Sequence, residues 1–116
     1  MRFVCMLILG LLSFGGIAGA QTGASGLVDI KTLRIGGGFL RVTGSTDFQD
    51  PSDCNGSGQN SNRDVLIFEG IDSYNEIVSF ALAAKMANQK VQFWLDGCGI
   101  DSGRNYPKAS YIYLID

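Results

Sequence analysis

Residues Phe3 to Phe14 run almost without a polar interruption behind one basic residue, Arg2. A small-residue stretch follows, Gly15-Gly16-Ile17-Ala18-Gly19-Ala20, and then Gln21. Small side chains at Ala18 and Ala20 are what signal peptidase reads, so residues 1–20 are expected to be a secretory signal peptide cleaved before Gln21. The apolar stretch is short for a membrane span, which needs about 20 residues. No later apolar run is that long, so the mature chain is expected to carry no transmembrane anchor. Cys5 lies inside the apolar run and not at the cleavage point, which argues against a lipoprotein signal. This N-terminus constrains everything after it. The remainder is one small domain that has to fold in an oxidising compartment, secreted or periplasmic.

The mature part keeps two cysteines, Cys54 and Cys98. An even pair in a small exported domain is expected to form a disulfide. The loop it closes is about 44 residues long, for which chain entropy gives about 4 kcal/mol. A metal or redox pair is the weaker reading, because the chain has no histidine and no Cys-x-x-Cys. The formal net charge is −2 and no basic stripe is present. Nucleic acid is therefore a poor candidate partner, and the acidic balance argues against simple electrostatic docking on anionic lipid.

Residues 21–26 are small and polar and read as a disordered mature N-terminus. From Leu27 the residues form a single domain, 27–116. Val28 and Ile30 alternate with polar residues, as do Leu33 and Ile35, but the phase slips near Thr32. Such a slip marks a bulge or bend. Gly36-Gly37-Gly38 is a turn, and Phe39 to Thr43 is the second strand of a hairpin. Gly44 to Asp64 reads as a long loop, rich in Ser, Asp, Asn and Gly, with Cys54 in its middle. Val65 to Phe68 is a continuous apolar run and the best candidate for a central strand. Ser73-Tyr74-Asn75-Glu76 matches a capping box, which opens a helix over 74–88. That helix is apolar over most of its girth and should be covered on more than one side. Val91, Phe93 and Leu95 alternate with Gln92, Trp94 and Asp96 to give another strand. Ile100 to Lys108 reads as a second loop, and Tyr111 to Ile115 as the last strand. The fold class is thus mainly β with one helix: an OB-fold-like five-stranded barrel, with the helix between the third and fourth strands.

Three stretches carry a further likeness. The helix runs directly into Lys90-Val91-Gln92-Phe93-Trp94-Leu95. A cysteine follows that strand in Asp96-Gly97-Cys98-Gly99. The strand Tyr111-Ile112-Tyr113-Leu114-Ile115 closes the chain. A secreted OB-fold of this layout resembles the receptor-binding B subunits of AB5-type bacterial toxins, in particular those of Shiga toxin and subtilase cytotoxin. The resemblance spans Val28 to the end as an order of elements and is thin in residue identity. It implies a homo-oligomeric ring, a pentamer, with helices lining a central pore, a surface that binds cell-surface glycans as receptor, and a catalytic A subunit as partner. The chain departs from the pattern at Cys54, which lies between the second and third strands, whereas the Shiga-type partner cysteine lies near the mature N-terminus. No glycan-contacting residue of the family can be carried over.

The absence of histidine excludes Ser-His-Asp and Cys-His catalysis and His-based zinc sites. Asp47, Asp50 and Asp53 recur at a spacing of three that could collect a calcium ion through oxygen ligands, but they lack the alternating spacing and central glycine of a calcium loop. A solvated acidic loop is the preferred reading, and no cofactor is expected. Asn55-Gly56-Ser57 matches a glycosylation sequon, which has meaning only in a eukaryotic secretory route. Trp94 points away from the face of Phe93 and Leu95. It is expected either to stack on a sugar or a neighbouring subunit, or to pack under a long loop. Arg104, Asn105 and Tyr106 offer a charged fork, an amide and a ring in a loop that OB-folds use for ligands; an ordinary surface loop is the plain alternative. Tyr111 and Tyr113 share one face of the last strand.

The function these readings favour is that of a secreted, non-enzymatic binding module for glycans. The alternative is a monomeric periplasmic inhibitor of a cell-wall hydrolase, or an envelope-stress protein, with Gly44–Asp64 as its contact surface. A hydrolase built on two carboxylates ranks third and requires both in one cleft.

Overall fold

The computed structural model describes residues 22–56 and 61–114. The expected signal peptide, residues 1–20, lies outside the described residues. The elements are β1 (Thr22–Val28), β2 (Ile30–Gly36), β3 (Phe39–Gln49), β4 (Ser61–Phe68), α1 (Tyr74–Met86), β5 (Val91–Asp101) and β6 (Arg104–Leu114). The strands form one six-stranded mixed sheet in the order β1-β5-β6-β4-β3-β2. All neighbours are antiparallel except β4 and β6, which run parallel and meet at Leu66 and Lys108.

The five-stranded barrel is corrected in two respects. There are six strands, not closed into a barrel, and the helix follows the fourth strand instead of the third. Both changes come from the first expected strand. The chain leaves the ladder at Asp29, so β1 pairs with β5 while β2 pairs with β3. The Asp29 carbonyl accepts a hydrogen bond from Ser45 N–H at the break. The strand expected at 65–68 still precedes the helix.

Residues 22–26, expected to be disordered, belong to β1. The register shifts between Ala24 and Leu27, where Gly26 has φ +80°. Ser25 is buried in that bulge, and its hydroxyl accepts the Phe93 N–H at 2.9 Å. A side-chain oxygen thus fills in where the ladder carbonyl is displaced. Small polar residues suit an edge strand of this kind, and composition alone does not separate it from a tail.

Both expected long loops are shorter than their composition implies. β3 continues to Gln49 and resumes pairing with β4 at Phe48 and Asn62, beyond a register shift after Thr43. The second loop shrinks to the turn Ser102-Gly103, with φ +56° and +80°, and Asp101 faces Arg104 across it. Positive φ at both central residues matches the twist of a tight hairpin. Gly37 and Gly38 do the same between β2 and β3.

The main core lies between the sheet and α1. Leu40 and Val42, Val65 and Ile67, and Val91, Phe93 and Leu95 are buried there against Ile77, Ala81 and Ala84. Fully burying side chains of this size stabilises by roughly 1.5–3 kcal/mol each. β4 is covered on its other face as well. There Leu66, Phe39, Phe68 and Tyr106 form a second, smaller cluster. The far half of the β5–β6 hairpin lies over it: Gly99 sits so close to the Phe68 ring that a Cβ would approach to 2.5 Å.

The helix does not use its capping box. Ser73 has φ −93° and ψ 14° and makes no side-chain cap bond; its carbonyl accepts Ile77 N–H. The β-region backbone that aims a cap hydroxyl into the first turn is not adopted. At the other end Asn88 has φ +60°, and the amides of Asn88 and Gln89 bond to Lys85 O and Ala84 O. This pairing ends the helix at Met86, short of the expected 88. Leu82 and Met86 remain exposed, so the broad apolar girth is covered on one side only. No helix among the described residues is long and apolar enough to cross a membrane.

Candidate functional site

On the face of the sheet away from α1, Arg41 projects from β3 between two core-facing neighbours, Leu40 and Val42. Its guanidinium donates to Asp64 Oδ1 on β4 at 3.2 Å, to Asp101 Oδ2 on β5 at 2.8 Å and to Tyr106 Oη on β6 at 3.2 Å. It also lies 4.5 Å from the Tyr106 ring centroid. Arg34, on β2, adds a second guanidinium at 2.7 Å from Asp101 Oδ2. Ser102 donates to Asp101 Oδ1, and Thr43 donates to Asp64 Oδ1 at 2.6 Å. Five strands therefore contribute to one polar network. A charge-assisted network drawn from rigid strands is held in a single geometry.

The charges are locked. Arg41 is raised well above its ordinary value, first by its hydrogen bond to Asp64, against burial, and then by Asp101. For Asp101 burial is the largest influence and pushes upward. The hydrogen bond from Arg41 and the charge of Arg34 outweigh it, so the carboxyl falls below its ordinary 3.8.

Above this network opens a cleft of about 730 Å³, bounded by β4, the start of β6 and the arc that carries Cys54 and Asn55. The arc is a sequence of turns: Asp53 N–H bonds to Asp50 O, Gly56 N–H to Asp53 O, and Cys54 N–H to Asp50 Oδ2. Cys54 is joined to Cys98 on β5, with a Cα–Cα distance of 5.6 Å. The rim carries an exposed ion pair, Arg63–Asp47 at 2.9 Å.

Of the residues singled out in the sequence, Arg104, Asn105 and Tyr106 all line this cleft. They do so from strand β6 and not from a loop, because the hairpin turn takes only Ser102 and Gly103. Tyr106 is buried under Arg41 and presents no open ring for stacking. Arg104 is exposed and makes no ion pair among the described residues. Trp94 is elsewhere. It pairs with Ala24 and Tyr111 toward the other end of the β5–β6 ladder, half-buried, on the opposite side of β5 from Phe93 and Leu95. Tyr111 and Tyr113 border a separate groove of about 300 Å³ against Ile77 and Phe80 of α1.

The three loop aspartates do not converge. Asp47 is engaged with Arg63 at the rim, while Asp50 is fully buried beneath Cys54, which corrects the solvated-loop reading for that residue. Among the described residues no cluster of three or more His, Cys, Asp or Glu is arranged to hold a metal ion. Sequence reasoning missed Arg34, Arg41, Asp64 and Asp101. Their one local signal is charge at alternate positions of apolar strands, Arg41 between Leu40 and Val42 and Asp64 just before Val65.

Compared with family models, curated proteins and solved structures, the chain shows no significant match to any of the three.

Proposed function

We propose that this domain is a secreted, non-enzymatic binding module that recognises cell-surface glycans in the cleft above Arg41. The observation that carries the reading is the contrast between floor and mouth. The floor is a committed network of charges from five strands. The mouth presents Arg104, without an ion-pair partner among the described residues, beside Asn105. A fixed polar floor with available donors at its edge suits a polyhydroxylated ligand, which is held by many oriented hydrogen bonds. A carboxylate-based hydrolase fits less well. The carboxylates here are tied to guanidiniums, and one lowered below the ordinary range, as Asp101 is, is a poor general acid near neutral pH.

The likeness to toxin B subunits adds an assembly. The two edge strands of the sheet, β1 and β2, are consecutive in the chain and part only at Asp29, which supports an OB-like reading with a broken first strand. Exposed Leu82 and Met86 on α1, and Tyr111 and Tyr113 beside the apolar groove, supply surfaces that a ring of copies would cover.

The test is a glycan array probed with the oxidised protein, alongside its absolute mass by light scattering. Binding of a glycan class, lost at least about tenfold in Arg104→Ala with an unchanged melting temperature, is the expected result. Absence of binding on the array, or an Arg104→Ala variant that binds normally, overturns the glycan reading. A monomeric mass removes the ring and, with no glycan bound, favours the inhibitor, whose contact surface would be the pinned arc.

A further inference from the structure

The cleft carries a charge imbalance that its floor does not use. Three arginines line it, Arg41, Arg63 and Arg104, against two aspartates, Asp47 and Asp64. The chain as a whole has a formal net charge of −2, so the cleft is a positive spot on an acidic protein. Arg41 and Asp64 are engaged with each other and with the network beneath. Two guanidiniums remain at the mouth. Arg104 has no ion pair among the described residues, and Arg63 is paired with Asp47. Both ends of that pair are exposed, and exposed pairs of this kind hold weakly.

The strand order puts these two guanidiniums on one cleft. β4 and β6 run parallel and meet at Leu66 and Lys108, so the residues ahead of each lie on the same side of that meeting point. Arg63 and Arg104 are among them, and both line the cleft. We infer that the ligand carries a phosphate monoester held between Arg63 and Arg104, so that the occupant of the cleft is a phosphorylated sugar. This rests on the cleft being the saccharide site.

The match is one of charge and of acceptors. A phosphate monoester carries about −1.5 to −2 near neutral pH and offers three strong acceptor oxygens. Each guanidinium fork can give two parallel hydrogen bonds to such a group. A carboxylate, with one charge and two oxygens, is satisfied by one fork and leaves Arg63 with Asp47. A neutral sugar offers Arg63 no charge in exchange for Asp47. The phosphate replaces the Asp47 carboxylate on Arg63 and pairs Arg104 in the same step, while the Asn105 amide at the mouth remains for sugar hydroxyls.

Calorimetric titration of the oxidised protein tests this with glucose 6-phosphate, glucose 6-sulfate, glucose and inorganic phosphate. Glucose 6-phosphate is expected to bind at least about tenfold tighter than each of the others. Arg63→Gln and Arg104→Gln are each expected to weaken it about tenfold at unchanged melting temperature. Asp47→Asn is expected to tighten it about threefold, because Arg63 then has no carboxylate to leave, and a gain of this kind cannot come from a damaged fold. Equal binding of the sulfate overturns the phosphate, and equal binding of inorganic phosphate shows an anion site that takes no sugar and overturns the inference too. An Arg63→Gln variant that binds normally, or an Asp47→Asn variant that binds more weakly, overturns the two-arginine clamp. The two readings fail separately. Capture of a neutral glycan on the array with no preference for glucose 6-phosphate overturns the phosphate alone, whereas an empty array with no sugar bound in the titration removes the saccharide cleft itself.

Discussion

Ser25→Ala removes one oxygen from the bulge of β1, and its cost follows from what that oxygen does. Ser25 is 1 % exposed, and its hydroxyl accepts the amide of Phe93, whose side chain is fully buried. The same hydroxyl donates to Gly26 O at 2.7 Å. Gly26 is half-buried, so water can take over that carbonyl. The Phe93 amide lies in the strand behind and has no such replacement. A buried donor left without an acceptor costs about 1–3 kcal/mol. In a domain of this size each kcal/mol lowers the melting temperature by about 4–8 °C, so the variant should melt roughly 5–20 °C lower. Urea unfolding should show a lower midpoint at unchanged slope, since the surface exposed on unfolding is the same. The Phe93 amide should exchange faster than its β5 neighbours. A variant within about 0.5 kcal/mol of the parent, with Phe93 still protected, would rule this role out. It would mean that the amide finds another partner once Ser25 is gone.

Replacing both Cys54 and Cys98 by serine should cost about 4 kcal/mol by the chain-entropy account, seen mainly as slower refolding in stopped-flow unfolding and refolding; an equal loss on the unfolding limb would contradict it. Gly99→Ala should destabilise by about 1–3 kcal/mol in thermal melts, because its Cβ would enter the Phe68 ring, and Phe68→Leu in the same chain should recover part of the loss. Asp101 has a folded value below its ordinary 3.8, so its contribution is complete above that value and is lost as pH falls through the lower one. Carbon NMR of its carboxyl should give a midpoint below 3.8, and urea midpoints measured into acid should fall less steeply for Asp101→Asn; a midpoint at or above 3.8 would contradict the network.

Much of the fold is legible because it is written in local patterns. Alternation along Phe39–Thr43 and Val91–Leu95, the apolar run at 65–68 and the helix after Ser73 all reappear. The two long loops are shorter than expected because polar composition does not separate a loop from the exposed part of a strand, although Ser102-Gly103 is itself a hairpin signal. The site is a different matter. Arg104, Asn105 and Tyr106 could be singled out by type, but Tyr106 is covered by Arg41, and that contact joins β3 to β6 across the sheet.

A small β-rich domain with one helix, two cysteines placed to be bridged and the lack of histidine can all be read along the chain. The meeting of Arg34, Arg41, Asp64, Asp101 and Tyr106 arises from how the strands are arranged in space. Side-chain periodicity is a property of a few successive residues, so it survives in the sequence. Which residues face each other depends on strand order, register shifts and the break at Asp29, and these are settled only when distant segments pack.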